Sequence, residues 1–91
     1  MAVKSRRSSD FRKLYDRLPV RIQALAVKNF ELWQKDPSHP SLNFEEWHKG
    51  RWSARVGAHH RVLAIEKRDG SFLWYWIGTH EAYNKLLREQ R

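Results

Sequence analysis

The chain predicts an α+β domain in two layers: an N-terminal helix hairpin packed on three or four antiparallel strands, with a C-terminal helix after them. Three observations carry this. Apolar residues recur at helical spacing as far as Trp33, then alternate or cluster in short runs from Trp52 to Ile77. Turn residues punctuate the second half at Lys49-Gly50, Gly57-Ala58 and Arg68-Asp69-Gly70. Helical spacing returns after Thr79. Helices first, then strands, then a helix is an α+β order.

Residues Met1 to Ser9 are polar and basic, and loose order is expected of them. Ser9 or Asp10 is placed to cap a short helix carrying Phe11, Leu14, Tyr15 and Leu18, because a short polar side chain there accepts from a free first-turn amide. Pro19 interrupts that helix and suits the first turn of a second. Ile22, Leu25, Ala26, Phe30 and Trp33 then form one apolar stripe, widened by Val27 and Leu32. Asp36-Pro37 and His39-Pro40 forbid continuation beyond about Lys35, since a residue before proline is pushed out of helical backbone.

Asn43 to Trp47 reads as an edge strand or an irregular lead-in. Trp52, Ala54 and Val56 alternate with Ser53 and Arg55 in a half-buried strand. His60 to Lys67 follows, with Val62 to Ile65 its most buried run. Ser71 to Ile77 closes the sheet, and Trp74 and Trp76 are expected to share one face as core. Gly78 is expected to break this strand, and Thr79 to cap a helix from His80 to about Gln90 with Tyr83, Leu86 and Leu87 on its apolar face.

Ninety-one residues are one domain, residues 1–91, with room for one core. The basic N-terminus has no apolar segment behind it, so no secretory signal is expected. The absence of cysteine removes disulfide scaffolds, thiolate zinc sites and thiol catalysis. No apolar run reaches the roughly 20 residues that cross a bilayer, so no membrane partner is expected and a cytoplasmic location fits. Eighteen Lys and Arg against ten Asp and Glu leave a formal charge of +8. Such a charge on a small domain implies a polyanionic partner, nucleic acid or an acidic protein. The plain alternative is charge kept for solubility.

Five histidines raise the question of a metal. His59 and His60 are adjacent, where successive strand side chains take opposite faces, and no His pair has helical i, i+4 spacing. Neither a metal nor another cofactor is expected. His80 stands where the last strand hands over to a helix, near free amides that attract anions, and an imidazole suits proton transfer at neutral pH. The alternative is a His that merely decorates a helix start. Arg61 opens the central strand and Arg55 lies on the preceding one, so the pair can converge on one phosphate. A salt bridge to Glu45, Glu46 or Glu66 is the structural alternative for either. Lys49, Arg51 and His48 form a basic cluster flanked by Trp47 and Trp52, a combination suited to holding and stacking RNA, or simply a solvated turn.

The helix hairpin, the HPSLNF loop, WSARVGAHHRVLAI, the RDG hairpin and the closing IGTHEAYNKLL together resemble the RelE/ParE toxin superfamily of type II toxin–antitoxin systems. The resemblance runs from about Phe11 to Leu87, and the closing Gly-Thr-His-x-x-Tyr is similar to the RelE-like and YafQ-like ribonuclease branch. It implies a metal-independent mRNA endonuclease that works in the ribosomal A site, where the RNA 2′-hydroxyl attacks the adjacent phosphate and translation stops. By position, Arg61 would hold the scissile phosphate, His80 would act as general acid/base or charge stabiliser, and Tyr83 would fall near the aromatic or hydroxyl position of the closing helix. RelE-like members carry two lysines on the strand before that arginine, where Trp52 and Ala54 are expected here, and a tyrosine where His60 stands. His60 then supplies a second imidazole, or the catalytic set is reduced. The resemblance also implies a cognate antitoxin, short and acidic. The alternatives are a ParE-like, non-enzymatic inhibitor of DNA gyrase and a binding module that has lost catalysis.

Overall fold

The structure is a computed structural model and describes residues 4–89. Its elements run β1 (Ser5–Arg7), α1 (Ser9–Asp16), α2 (Val20–Lys35), a 3-10 turn (Pro40–Leu42), β2 (Glu45–His48), β3 (Arg51–Val56), β4 (His60–Glu66), β5 (Phe72–Thr79) and α3 (His80–Glu89). The strands form one sheet in the order β1-β5-β4-β3-β2. Strands β2 to β5 pair antiparallel, and β1 adds to β5 in parallel.

The helix hairpin forms for local reasons. Ser8, one residue before the expected cap, accepts a hydrogen bond on Oγ from the Phe11 amide at 3.1 Å. Pro19 occupies the cap position of α2 rather than its first turn. The Gln23 side-chain amide donates to the Tyr15 carbonyl at 2.9 Å, tying the two helices at their joint. Their apolar faces meet the sheet in a cluster of Phe11, Trp33, Leu42, Ala54, Val56, Val62, Ala64, Phe72, Trp74 and Ile77. Trp33 is its hub: Phe44, Phe72 and Trp74 meet it edge-on with ring centroids 5.0–5.6 Å away. Ala54 and Ala64 leave room beneath the helices for these large rings. A cavity of about 70 Å³ remains between hairpin and sheet, lined in part by Phe11, Trp33, Ala54, Val62 and Trp74.

Three expectations are corrected. Residues 1–3 lie outside the described ones, but Ser5–Arg7 is a strand and not loose chain, so the sheet has five strands and is mixed. The pairing gives the β5 edge a partner that its sequence, read as a last strand, did not announce. Gly78 does not break β5, which continues to Thr79 with Gly78 paired to Arg61.

Trp74 and Trp76 do not share a face. Leu63 pairs with Trp76 and Ala64 with Trp74, so Tyr75 is the extra residue of a β-bulge. Trp74 therefore joins the hairpin core, while Trp76 turns to the other side and meets Tyr83 of α3. The C-terminal helix α3, which follows the strands as expected, lies away from the hairpin. Its buried Tyr83 packs on Arg61 and Trp76, which places α3 on the opposite face of the sheet.

Candidate active site

Register decides which side chains meet on the α3 face. The turn at residues 57–59 closes on the pair Val56–His60, so Arg55 lies directly opposite Arg61 and Ser53 opposite Leu63. On the outer side Glu45 pairs with Ser53, and on the inner side Gly78 pairs with Arg61. Directly paired residues leave the same face. Arg51, Ser53, Arg55, Arg61 and Glu45 therefore share the α3 face, and Trp52 and Ala54 belong to the hairpin core.

Arg61 is the centre of this face and is only 7% exposed. One guanidinium nitrogen donates to Ser53 Oγ at 2.9 Å, and Ser53 is itself fully buried. The Tyr83 hydroxyl donates to the same Oγ at 3.4 Å, and the Tyr83 ring lies under the guanidinium carbon at 4.8 Å. Glu45 Oε1 reaches an Arg61 nitrogen only at 4.0 Å, from a side chain that is 58% exposed. Arg61 Nε has no partner at all. A guanidinium carries five N–H donors and cannot lose its charge in a protein. Arg61 is thus a buried cation held by a neutral hydroxyl and an aromatic face, with donors left over.

The glycine opposite Arg61 has a steric role. A Cβ on Gly78 would stand 2.7 Å from the Trp76 ring, which lies over it. Glycine within a strand allows such a close approach. Beyond it, Thr79 Oγ1 accepts from the Ala82 amide at 3.1 Å and starts α3 as expected. His80 is exposed at that start, its backbone amide donates to the His59 carbonyl at 2.7 Å, and its ring stacks toward Tyr83 with centroids 5.8 Å apart. His80, Tyr83 and Arg61 therefore form one continuous group.

Tyr75 also borders this face. Burial pushes its phenol pKa above the ordinary value, partly opposed by Arg51.

The other sequence candidates divide. Arg55 is exposed directly opposite Arg61, and Arg51 is half-buried two residues before Ser53 on the same strand. Lys49 and His48 are exposed at the β2–β3 turn, with Arg51 paired to His48. His60 is not in the group. It follows the even-numbered side of β4 toward the hairpin, where partial burial, His59 and Arg21 of α2 lower its pKa below the usual value.

Trp52 is not an RNA platform. Its ring stacks on Phe44 at 4.6 Å and its Nε1–H donates to Glu66 at 3.0 Å, so the turn before the sheet offers Trp47 alone. The expectation that Trp52 and Ala54 take the place of active-face lysines fails on the same register: neither can face Arg61, whereas Arg51 and Arg55 do. Glu45, one of the carboxylates expected to pair with Arg61, is the one that reaches it, at 4.0 Å, and Ser53 was missed. Counting outward from the turn at residues 57–59 would have put Ser53 on the face of Arg61.

Among the described residues, no three His, Asp or Glu side chains gather as a metal site. No helix among them is long and apolar enough to cross a membrane.

No protein-family model matches the chain, and no curated protein matches it. Solved structures do. The toxin–antitoxin complex RelBE2 from Mycobacterium tuberculosis contains a chain 18% identical, with a TM-score of 0.68 over 88% of this chain and 100% of that one. The RelE–RelB complex from Pyrococcus horikoshii gives 14% identity and a TM-score of 0.68 over 87% and 96%. A free-state mutant of the E. coli toxin RelE gives 12% identity and a TM-score of 0.70 over 98% of both chains. At these identities it is the backbone that is shared. With three helices placed as described around a five-stranded mixed sheet, this chain has the fold of the RelE toxins.

Proposed function

We propose that the chain is the toxin of a type II toxin–antitoxin pair and cuts messenger RNA on the ribosome. The observation that carries this is Arg61: a buried guanidinium with unused donors, opposite a second arginine and joined through Tyr83 to an exposed imidazole. A phosphate oxygen is the acceptor that such a group lacks, and a cation in a dry site stabilises the negative charge that grows on the phosphoryl oxygens.

In the reaction the RNA 2′-oxygen attacks the adjacent phosphorus and gives up its proton. The bond from phosphorus to the 5′-oxygen breaks, and that oxygen takes a proton. The products are a 2′,3′-cyclic phosphate and a 5′-hydroxyl. Arg61 holds the phosphate and Arg55 adds charge from the opposite strand. His80 moves one of the two protons. Ser53 and Tyr83 hold Arg61 in place. Lys49, Arg51 and His48 hold the RNA backbone near the β2–β3 turn. Water exchanges the other proton, and no cofactor is invoked.

The partner in the cell is an antitoxin, by analogy with the fold neighbours that were solved as RelB–RelE complexes. A net charge of +8 favours a short acidic one. Induced expression tests the reading. Wild type should arrest growth and its antitoxin should relieve the arrest, while His80→Ala should fold and arrest growth far less. Equal arrest by wild type and His80→Ala would remove His80 from the mechanism.

A further inference from the structure

Away from Arg61, at the far end of the sheet, the fold builds a second basic site. The β1 strand pairs with β5 so that Ser5 meets Phe72 and Arg6 meets Leu73, and the Phe72 amide donates to the Lys4 carbonyl at 3.0 Å. This brings the N-terminal segment beside the β4–β5 turn. Lys4, Arg6, Lys67 and Arg68 then line one open cleft of about 910 Å³ with Ser5, Gln34, Asp69 and Ser71. The four cations are far apart in sequence in two pairs, and only the parallel strand joins them.

One carboxylate, Asp69, also lines the cleft and feels the charge of Lys4, but it forms no ion pair there and leaves the four cations in excess. Asp69 Oδ1 accepts from the Ser71 amide at 2.9 Å and the Ser71 hydroxyl at 2.6 Å, and Glu66 accepts from the Trp52 indole. Among the described residues the single salt bridge is that of Arg61 with Glu45, so none of the four cations is paired. Like charges gathered in this way repel one another unless an anion joins them.

The lining says which anion. Every residue of the cleft is polar or charged, and none is an aromatic or aliphatic anchor. A protein partner is held at its centre by aromatic or arginine anchors in closed, desolvated pockets, whereas Arg6 and Arg68 are exposed in an open cleft. Phosphate backbones are held by lysine, arginine, serine and glutamine side chains. We propose that Lys4, Arg6, Lys67 and Arg68 form a second RNA-backbone site. It sits the length of β4 from Arg61, about 20 Å at the usual rise per strand residue. The proposal extends the RNA reading above but does not need cleavage: RNA enters at one end of the sheet for cutting and is gripped at the other.

Salt titration of binding to a fluorescein-labelled RNA hairpin tests it, read by anisotropy. Wild type is compared with the fourfold variant Lys4→Gln/Arg6→Gln/Lys67→Gln/Arg68→Gln and with an equally neutralised control, Arg12→Gln/Lys13→Gln/Lys28→Gln/Lys85→Gln. The slope of log affinity against log salt should fall by about 3 in the cleft variant, near one unit per lost contact, and by less than one unit in the control.

Lys67→Gln/Arg68→Gln, which leaves β1 untouched, should lose about half as much and guards against misfolding of the fourfold variant. Equal slopes for cleft and control variants would overturn the site. So would poly-glutamate binding that falls with the cleft variant while RNA binding does not. Intact RNA binding by a chain that never cleaves would overturn the function proposed above and leave this site standing.

Discussion

The guanidinium carbon of Arg61 lies 4.8 Å from the ring centroid of Tyr83, and both side chains reach the one hydroxyl of Ser53. A cation on β4 is thereby fastened to α3 across the face of the sheet. Tyr83→Phe keeps the ring and loses only the long 3.4 Å hydrogen bond, so its stability should stay within about 1 kcal/mol of wild type. Tyr83→Leu loses the cation–π contact and should cost about 2 kcal/mol, with α3 amides exchanging faster. Hydrogen exchange and denaturant midpoints measure both.

Ser53 is fully buried and is the acceptor for Arg61. Ser53→Ala leaves a charged donor without a partner and should destabilise the fold by about 1–3 kcal/mol. RNA cleavage should weaken in turnover as well as in substrate binding, because the loss disorders the group that holds the phosphate and stabilises its growing charge. Single-turnover kinetics separate the two.

His60 gives a pH dependence of known sign. Its folded pKa lies below the usual 6.5, mainly through burial. The unfolded chain therefore binds more protons between the two values, and stability falls as pH drops from about 6.5 toward the folded pKa. His60→Gln should flatten this part of the stability profile. It should leave RNA cleavage unchanged, since His60 faces the hairpin. Urea midpoints measured from pH 7.5 down to 5.5 check the first claim.

Gly78→Ala puts a methyl group against the Trp76 ring. The ring must shift, at a cost of about 1–3 kcal/mol, and it is the ring beneath Tyr83. Loss of stability with altered tryptophan fluorescence is the expected result.

Much of the fold was legible because local signals agreed with it. Turn residues, helix caps and the apolar stripe of α2 act over a few residues and landed within one or two positions, except that Val27, counted in the stripe, is 46% exposed. What escaped depended on distant chain. The strand Ser5–Arg7 is too short and basic to announce itself and forms because β5 offers an edge. The bulge at Tyr75 shifts alternation by one, which no reading of β5 alone contains.

In the candidate site, Arg61, His80 and Tyr83 were placed by motif and do lie together. Trp52 and His60 were misplaced because each sits on a strand whose face only the register decides. Ser53 was passed over because a lone serine in an alternating strand reads as solvent-facing until its partner strand is set.

Arg61 is the proposed phosphate ligand, and Arg61→Met tests that role most directly. Replacing a poorly paired buried charge with an apolar side chain should leave stability unchanged or raise it by about 1–4 kcal/mol. Removing a phosphate-binding donor should lower cleavage by about 10² or more. In a translation extract, primer extension should map wild-type cuts within codons and find almost none with the folded Arg61→Met protein. Equal cutting by both proteins, or intact messages with wild type while gyrase supercoiling is blocked, would contradict the account.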